Sequence, residues 1–201
     1  LLRFALLPVC LLAATPATAQ DAASVEPRNT PGLPAELRPI DDMLTGGLLN
    51  DPTDLNWTTY GASFSRELIV DESYPGGGAA LRVINSRPGE AYAGGLNIPL
   101  LARTDAGDTL TVGFFARTIE SAAEDGKGRV FVRFQQNREP YPGFGDTTLQ
   151  IGPEWNFYEV TTRAERSLRD EGIVALQFGS ERQTVEIGQA IVVSGTASVL
   201  D

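Results

Sequence analysis

Between residues 63 and 193 the apolar positions fall in short runs, each closed off by Gly, Pro, Asn or Asp. Several runs alternate: in LTVGFFART, Leu110, Val112 and Phe114 interleave with Thr111, Gly113 and Phe115, the period of two that lines one face of an extended strand. Nine such runs predict strands at 63–71, 79–85, 92–98, 109–118, 129–136, 147–151, 156–162, 173–178 and 184–193. Turns such as YPGGG, DAGD and EDGKG join them. The intervening helices that parallel strands need as crossovers are missing. The pattern therefore predicts an all-β fold with little helix, an antiparallel jelly-roll β-sandwich of about nine strands. One short helix is expected at 164–170, where TTRAERSLRDEG is charged and stopped by Gly172.

Ahead of residue 44 the pattern changes. Residues 1–19 carry one Arg, an apolar run from Phe4 to Ala14 and the small residues Ala17-Thr18-Ala19, the layout of a secretory signal peptide. The run is too short for a spanning helix and is broken by Pro8, so no membrane span is expected once the signal is removed, and the product is expected to be secreted or periplasmic. Residues 20–43 form a Pro-rich lead-in or tether with little periodic pattern. The sandwich domain is assigned to 44–201. Cys10, the only cysteine, lies inside the signal, so the rest of the chain has neither disulfides nor thiolate metal ligands and relies on core burial for its stability.

Charge narrows the partners. The chain carries 26 acidic against 16 basic residues, a net charge of −10, and a single lysine, Lys127. Phosphate neutralisation needs clustered cations, so nucleic acid is excluded as an expected partner. The complete absence of histidine removes Ser-His and Cys-His nucleophiles, His-ligated zinc and the usual imidazole acid or base. A carboxylate pair for glycoside hydrolysis would have to come from residues such as Asp146, Glu154, Glu159 and Glu186, and their spacing puts no pair on adjacent positions.

The stretch RVFVRFQQNREPYPG carries the most chemistry. Its alternation sets Val130, Val132, Phe134 and Gln136 on one side and Arg129, Phe131, Arg133, Gln135 and Asn137 on the other. Sugar recognition needs flat rings against pyranose faces and planar amides or guanidiniums bridging hydroxyl pairs. Tyr92, Phe131, Tyr141 and Phe144 supply candidate rings, and Arg82, Arg133, Gln135, Asn137 and Gln177 candidate forks. The same residues fit an ordinary solvated sheet face, and both readings stay open here. Asp51, Asp54 and Glu186 are candidate oxygen ligands for a structural calcium ion joining the lead-in to the last strand. Equally, Asp51 and Asp54 fit as turn caps around Pro52. Trp57 is expected over the core and Trp155 at a sandwich edge.

The ordered segments NDPTDLNWTTYG, PGGGAALRV, GDTLTVGFFAR, GRVFVRFQQNREPYPGF, IGPEWNFYEV and QTVEIGQAIV resemble the noncatalytic jelly-roll domains, galactose-binding-like carbohydrate-binding modules, that precede catalytic domains in bacterial xylanases and related glycoside hydrolases. The likeness runs from about residue 44 onward. It implies a sandwich that binds a β-linked polysaccharide, xylan or β-glucan first, on a concave sheet. By position, Tyr92 matches an aromatic of the family's groove, 129–137 the strand of polar sugar contacts, and Glu186 an acid that ligates structural calcium. The chain reaches Asp201 with no catalytic domain after the sandwich, so a separate catalytic partner is expected. Three function classes follow: a noncatalytic glycan binder, a non-sugar-binding envelope or assembly sandwich, and a small polysaccharide hydrolase or lyase.

Overall fold

The computed structural model describes residues 28–200. The predicted signal, residues 1–19, and the start of the lead-in lie outside the described residues. The ten strands found among them are β1 Thr58–Tyr60, β2 Phe64–Val70, β3 Ala79–Asn85, β4 Gly95–Pro99, β5 Thr109–Ser121, β6 Gly128–Gln136, β7 Gly143–Ile151, β8 Asn156–Arg163, β9 Gly172–Gln177 and β10 Gln183–Ser194. They form two five-stranded sheets, ordered β1-β4-β9-β6-β7 and β2-β3-β10-β5-β8, in which every pairing is antiparallel. The fold is the expected all-β sandwich, with one strand more than the alternation predicts. Strand β1, only TTY, is too short to show a period.

The inner faces bury a single apolar seam. Leu81, Val83, Val112, Phe114, Val185 and Ile187 come from one sheet, and Leu96, Ile98, Val130, Val132, Phe134, Val174 and Leu176 from the other. Trp57 closes the seam as expected and is buried. The central strand β9 is buried along its whole length.

Three local readings are corrected. Residues 164–170 are not helical: Leu168 pairs with Thr104 in a β-bridge, and Ala164 donates its amide to Asp108. Ala164 and Leu168 are both buried, so strand-like pairing wins over weak helix propensity. The helix lies instead in the lead-in, α1 Arg38–Met43, with a proline in its first turn, a position that sacrifices no helical hydrogen bond. This part of the lead-in is fastened down. Buried Asp41 accepts from the Leu48 amide at 2.7 Å and from the Thr30 hydroxyl at 2.8 Å, while Leu48 bridges to Val193 of β10. No helix among the described residues is long and apolar enough to cross a membrane.

The third correction shapes the site. Strand β7 starts at Gly143, four residues before its predicted start at 147. The β6 positions Val132 and Phe134 face Thr147 and Phe144, so β7 holds one extra residue there, a β-bulge opposite Arg133. Gly145 within it has φ +76°, the left-handed conformation that such bulges assign to glycine. The bulge lets Phe144 face inward, its ring stacked 6.0 Å from that of Phe134, although alternation from Thr147 would turn it outward. A Cβ on Gly145 would also lie 2.7 Å from Thr162 Cγ2. Gly145→Ala is therefore expected to lower the unfolding free energy by about 2 kcal/mol, read as a lower urea midpoint at unchanged slope.

Candidate functional site

Alternation on the β1-β4-β9-β6-β7 sheet places three rows of side chains on its outer face. Tyr60, Gly95, Gln177 and Phe131 face one another across four strands. The next row is Thr58, Asn97, Ala175 and Arg133, followed by Pro99, Ile173, Gln135 and Gly143. The centre of the face thus carries no side chain at Gly95 and only a methyl at Ala175. Larger neighbours stand around these two positions, which makes a depression of about 420 Å³, within the usual size range of small-ligand sites.

Its walls are Tyr60, Asn97, Arg133, Gln135 and Gln177. Two loops build the rim: Tyr92 stands on the single 3₁₀ turn Ala91–Ala93 that leads into β4, and Asn137, Pro140 and Tyr141 belong to the β6–β7 connection. Both rim tyrosines present their rings to solvent, with Tyr92 66% and Tyr141 48% exposed. Tyr141 holds φ +56°, a left-handed conformation that costs a non-glycine residue about 1 kcal/mol. The turn is tied by the Tyr141 amide donating to Arg138 at 2.7 Å and the Gln136 amide donating to Pro142 at 3.0 Å. Conformational cost at an exposed aromatic is a feature that clusters at ligand-binding positions.

Two buried polar atoms of the lining, Asn97 Oδ1 and Arg133 Nε, have no hydrogen-bond partner among the described residues. An acceptor such as Asn97 Oδ1 costs about 1–3 kcal/mol when left unpaired, so the site is arranged to receive a donor. Burial pushes the Tyr60 phenol above its ordinary pKa, while the nearby Gln177 amide and the Arg133 charge pull in the opposite direction. Arg133 Nε lies 3.3 Å from Asp146 Oδ1, within ion-pair range, but it makes no hydrogen bond there. Gly143 has to be bare for this arrangement, because a Cβ would sit 2.7 Å from both Nε and Nη2 of Arg133.

Of the nine candidate sugar contacts, Tyr92, Arg133, Gln135, Asn137, Tyr141 and Gln177 meet in this depression. Phe131 shares the outer face, opposite Gln177, outside the pocket lining. Arg82 lies on the other sheet, on β3, because its strand pairs with β2 and β10. Phe144, a further candidate ring, is turned into the core by the bulge. Sequence reasoning missed Tyr60, Asn97 and Pro140. The L-N-I run at 96–98, a polar residue between two apolar ones, was a visible signal for Asn97, whereas Tyr60 sits on a strand too short to read.

The residues proposed for calcium do not fit it. Glu186, with 0% exposure, directs one carboxylate oxygen to Arg82 at 2.9 and 2.6 Å and the other to Arg117 at 2.7 Å. The Arg117 guanidinium in turn lies 5.1 Å from the Tyr74 ring centre and 4.9 Å from that of Trp155, so Trp155 shields a cation. A metal ion would have to displace two guanidiniums. Asp51 and Asp54 instead cap their own loop, accepting from the amides of Thr53 at 2.8 Å and Asn56 at 2.7 Å. No group of three or more acidic side chains able to hold a metal forms among the described residues.

No protein-family model and no curated protein matches the sequence. Solved structures do match. A CBM4 structure aligns with TM-score 0.54 at 21% identity, covering 69% of this chain and 94% of that one. The CBM22-1 xylan-binding domain from Paenibacillus barcinonensis Xyn10C aligns with TM-score 0.55 at 10% identity, covering 77% and 99%. An arabinose-bound α-L-arabinofuranosidase, MgGH51, reaches TM-score 0.57 at 16% identity over 78% of this chain, but the match spans only 28% of that enzyme. This chain has the fold of a carbohydrate-binding module.

Within that fold, the two outer faces differ in kind. One is closed by its own charges around Glu186, and the other leaves amides and a guanidinium facing a depression. Glu186→Ala strands two guanidiniums that reach solvent only in part, so the expected loss is about 3 kcal/mol of unfolding free energy, checked by denaturant titration.

Proposed function

We infer that this chain is a noncatalytic polysaccharide-binding module that lays a glycan across the outer face of the β1-β4-β9-β6-β7 sheet. The observation that carries the reading is the convergence in one depression of two exposed tyrosine rings, at 92 and 141, with the amides of Asn97, Gln135 and Gln177. Rings at the rim offer apolar surface to sugar faces, and amides below exchange hydrogen bonds with hydroxyl pairs. The unpartnered Asn97 Oδ1 finds its donor in a sugar hydroxyl. Binding without cleavage is the supported chemistry, because glycoside hydrolysis needs two carboxyl groups about 5–9 Å apart and none of the pocket-lining side chains is a carboxylate.

Xylan or a β-glucan is the ligand this reading takes first, since a module of the same fold is a xylan-binding domain. With the predicted signal peptide, the module acts outside the cytoplasm, secreted or periplasmic. Affinity electrophoresis through gels containing xylan, β-glucan or alginate tests it. At least one gel is expected to retard the protein. Tyr92→Ala and Tyr141→Asn are each expected to weaken that retention about tenfold. Asparagine tolerates the left-handed backbone of position 141, so its variant stays folded. Unretarded migration of folded protein in every gel would reject the reading.

A further inference from the structure

We propose that this pocket selects acidic glycans and holds the carboxylate of a uronic acid residue on the guanidinium of Arg133. The proposal rests on the glycan-binding reading above and narrows its ligand class. Acids outnumber bases 26 to 16 in this chain, yet the pocket lining holds one cation and no anion. Neutral sugars ask only for rings, amides and hydroxyls, all of which the pocket has without Arg133. A charged fork set among them is an added element with its own chemical preference.

Arg133 is also left uncommitted where its strand neighbour is not. Arg129, also on β6, donates through Nη2 to Asp125 at 2.9 Å and through Nη1 to the Lys127 carbonyl at 3.1 Å. Arg133 has one protein anion nearby, at 3.3 Å from Nε and without hydrogen-bond geometry, and that anion, Asp146, is 51% exposed to screening water. Neither terminal nitrogen of Arg133 has a hydrogen-bond partner among the described residues. The guanidinium lies across bare Gly143, and its charge is felt at the Tyr60 phenol on the far side of the depression. A guanidinium with both terminal nitrogens free matches a carboxylate in a two-point contact.

Register places the rest of the sugar. Asn97 and Arg133 flank Ala175 from the two sides, through the pairings Asn97 with Ala175 and Ala175 with Arg133. A pyranose seated over the Ala175 methyl has the orphaned Asn97 Oδ1 at one edge for a hydroxyl and Arg133 at the other for the carboxylate. The carboxylate belongs either to a branch on a neutral backbone or to the backbone of a polyuronate.

Calorimetry on the protein with matched ligands tests this. The probes are a glucuronosyl-branched xylotetraose and an oligogalacturonate, each beside its carboxyl-reduced twin, with unbranched xylan and β-glucan oligosaccharides for comparison. At low ionic strength one acidic probe is expected to bind at least about tenfold tighter than its reduced twin. Which of them does so tells branch from backbone. The advantage should shrink as salt is raised. Arg133→Gln should bring the ratio of the two dissociation constants close to one, and Asp146→Asn should widen it, with near-ultraviolet circular dichroism confirming that each variant is folded. The twin comparison on the unaltered protein needs no variant. Equal binding of acid and reduced forms, or binding of neutral oligosaccharides alone, overturns the acid preference and leaves the glycan-binding reading standing. Absence of binding to every acidic and neutral glycan overturns both.

Discussion

Burial of Val130, Val132 and Phe134 between the sheets forces Phe131, Arg133 and Gln135 to the opposite face of the same strand, because side chains on an extended chain alternate. A slip of one residue would bury a guanidinium and a carboxamide and expose three apolar side chains. Each of those is worth about 1.5–3 kcal/mol when buried, so the register is locked by the core and not by the pocket. The same logic on β4 and β9 sends Asn97 and Gln177 outward while Leu96, Ile98, Val174 and Leu176 are held inside. The pocket face is therefore a by-product of core packing, and its polar groups are held as rigidly as the strands that carry them.

Shape comes from what is missing at a few positions. Gly95 and Ala175 lower the centre of the sheet, and a Cβ on Gly95 would come within 2.7 Å of the Tyr60 hydroxyl oxygen. Gly145 supplies the bulge that sets Asp146 near Arg133, and Gly143 opens room for the guanidinium. The other sheet shows the opposite solution. There an outward-pointing acid, Glu186, is covered by Arg82 and Arg117 and by the rings of Tyr74 and Trp155. That face satisfies its own charges and offers little to a ligand, whereas the pocket face leaves Asn97 and Arg133 short of partners.

Much of this was legible in the chain. Period-two runs locate the strands, and the polar side of RVFVRFQQN carries Arg133, Gln135 and Asn137. Misreadings fell where local pattern and tertiary pairing disagree. Residues 164–170 carry a weak helical pattern, but the bridge between Leu168 and Thr104 takes their backbone groups. The bulge at Gly145 breaks alternation, so the start of β7 and the inward turn of Phe144 were unreadable. Arg82 and Glu186 each looked functional alone, and only strand pairing shows that they satisfy each other.

The sequence by itself determined the class of fold, the span of most strands, the core-facing side of the strands that alternate regularly, and the exclusion of histidine chemistry. Those properties are local, carried by alternation and residue type within a few neighbours. Only the tertiary structure decided which outward residues share a face. Tyr60, Tyr92, Asn97, Arg133, Tyr141 and Gln177 come from separate elements, and their meeting depends on the strand order β1-β4-β9-β6-β7. That order joins residues more than a hundred positions apart, through backbone pairings that almost any residue can make, so no local pattern encodes it.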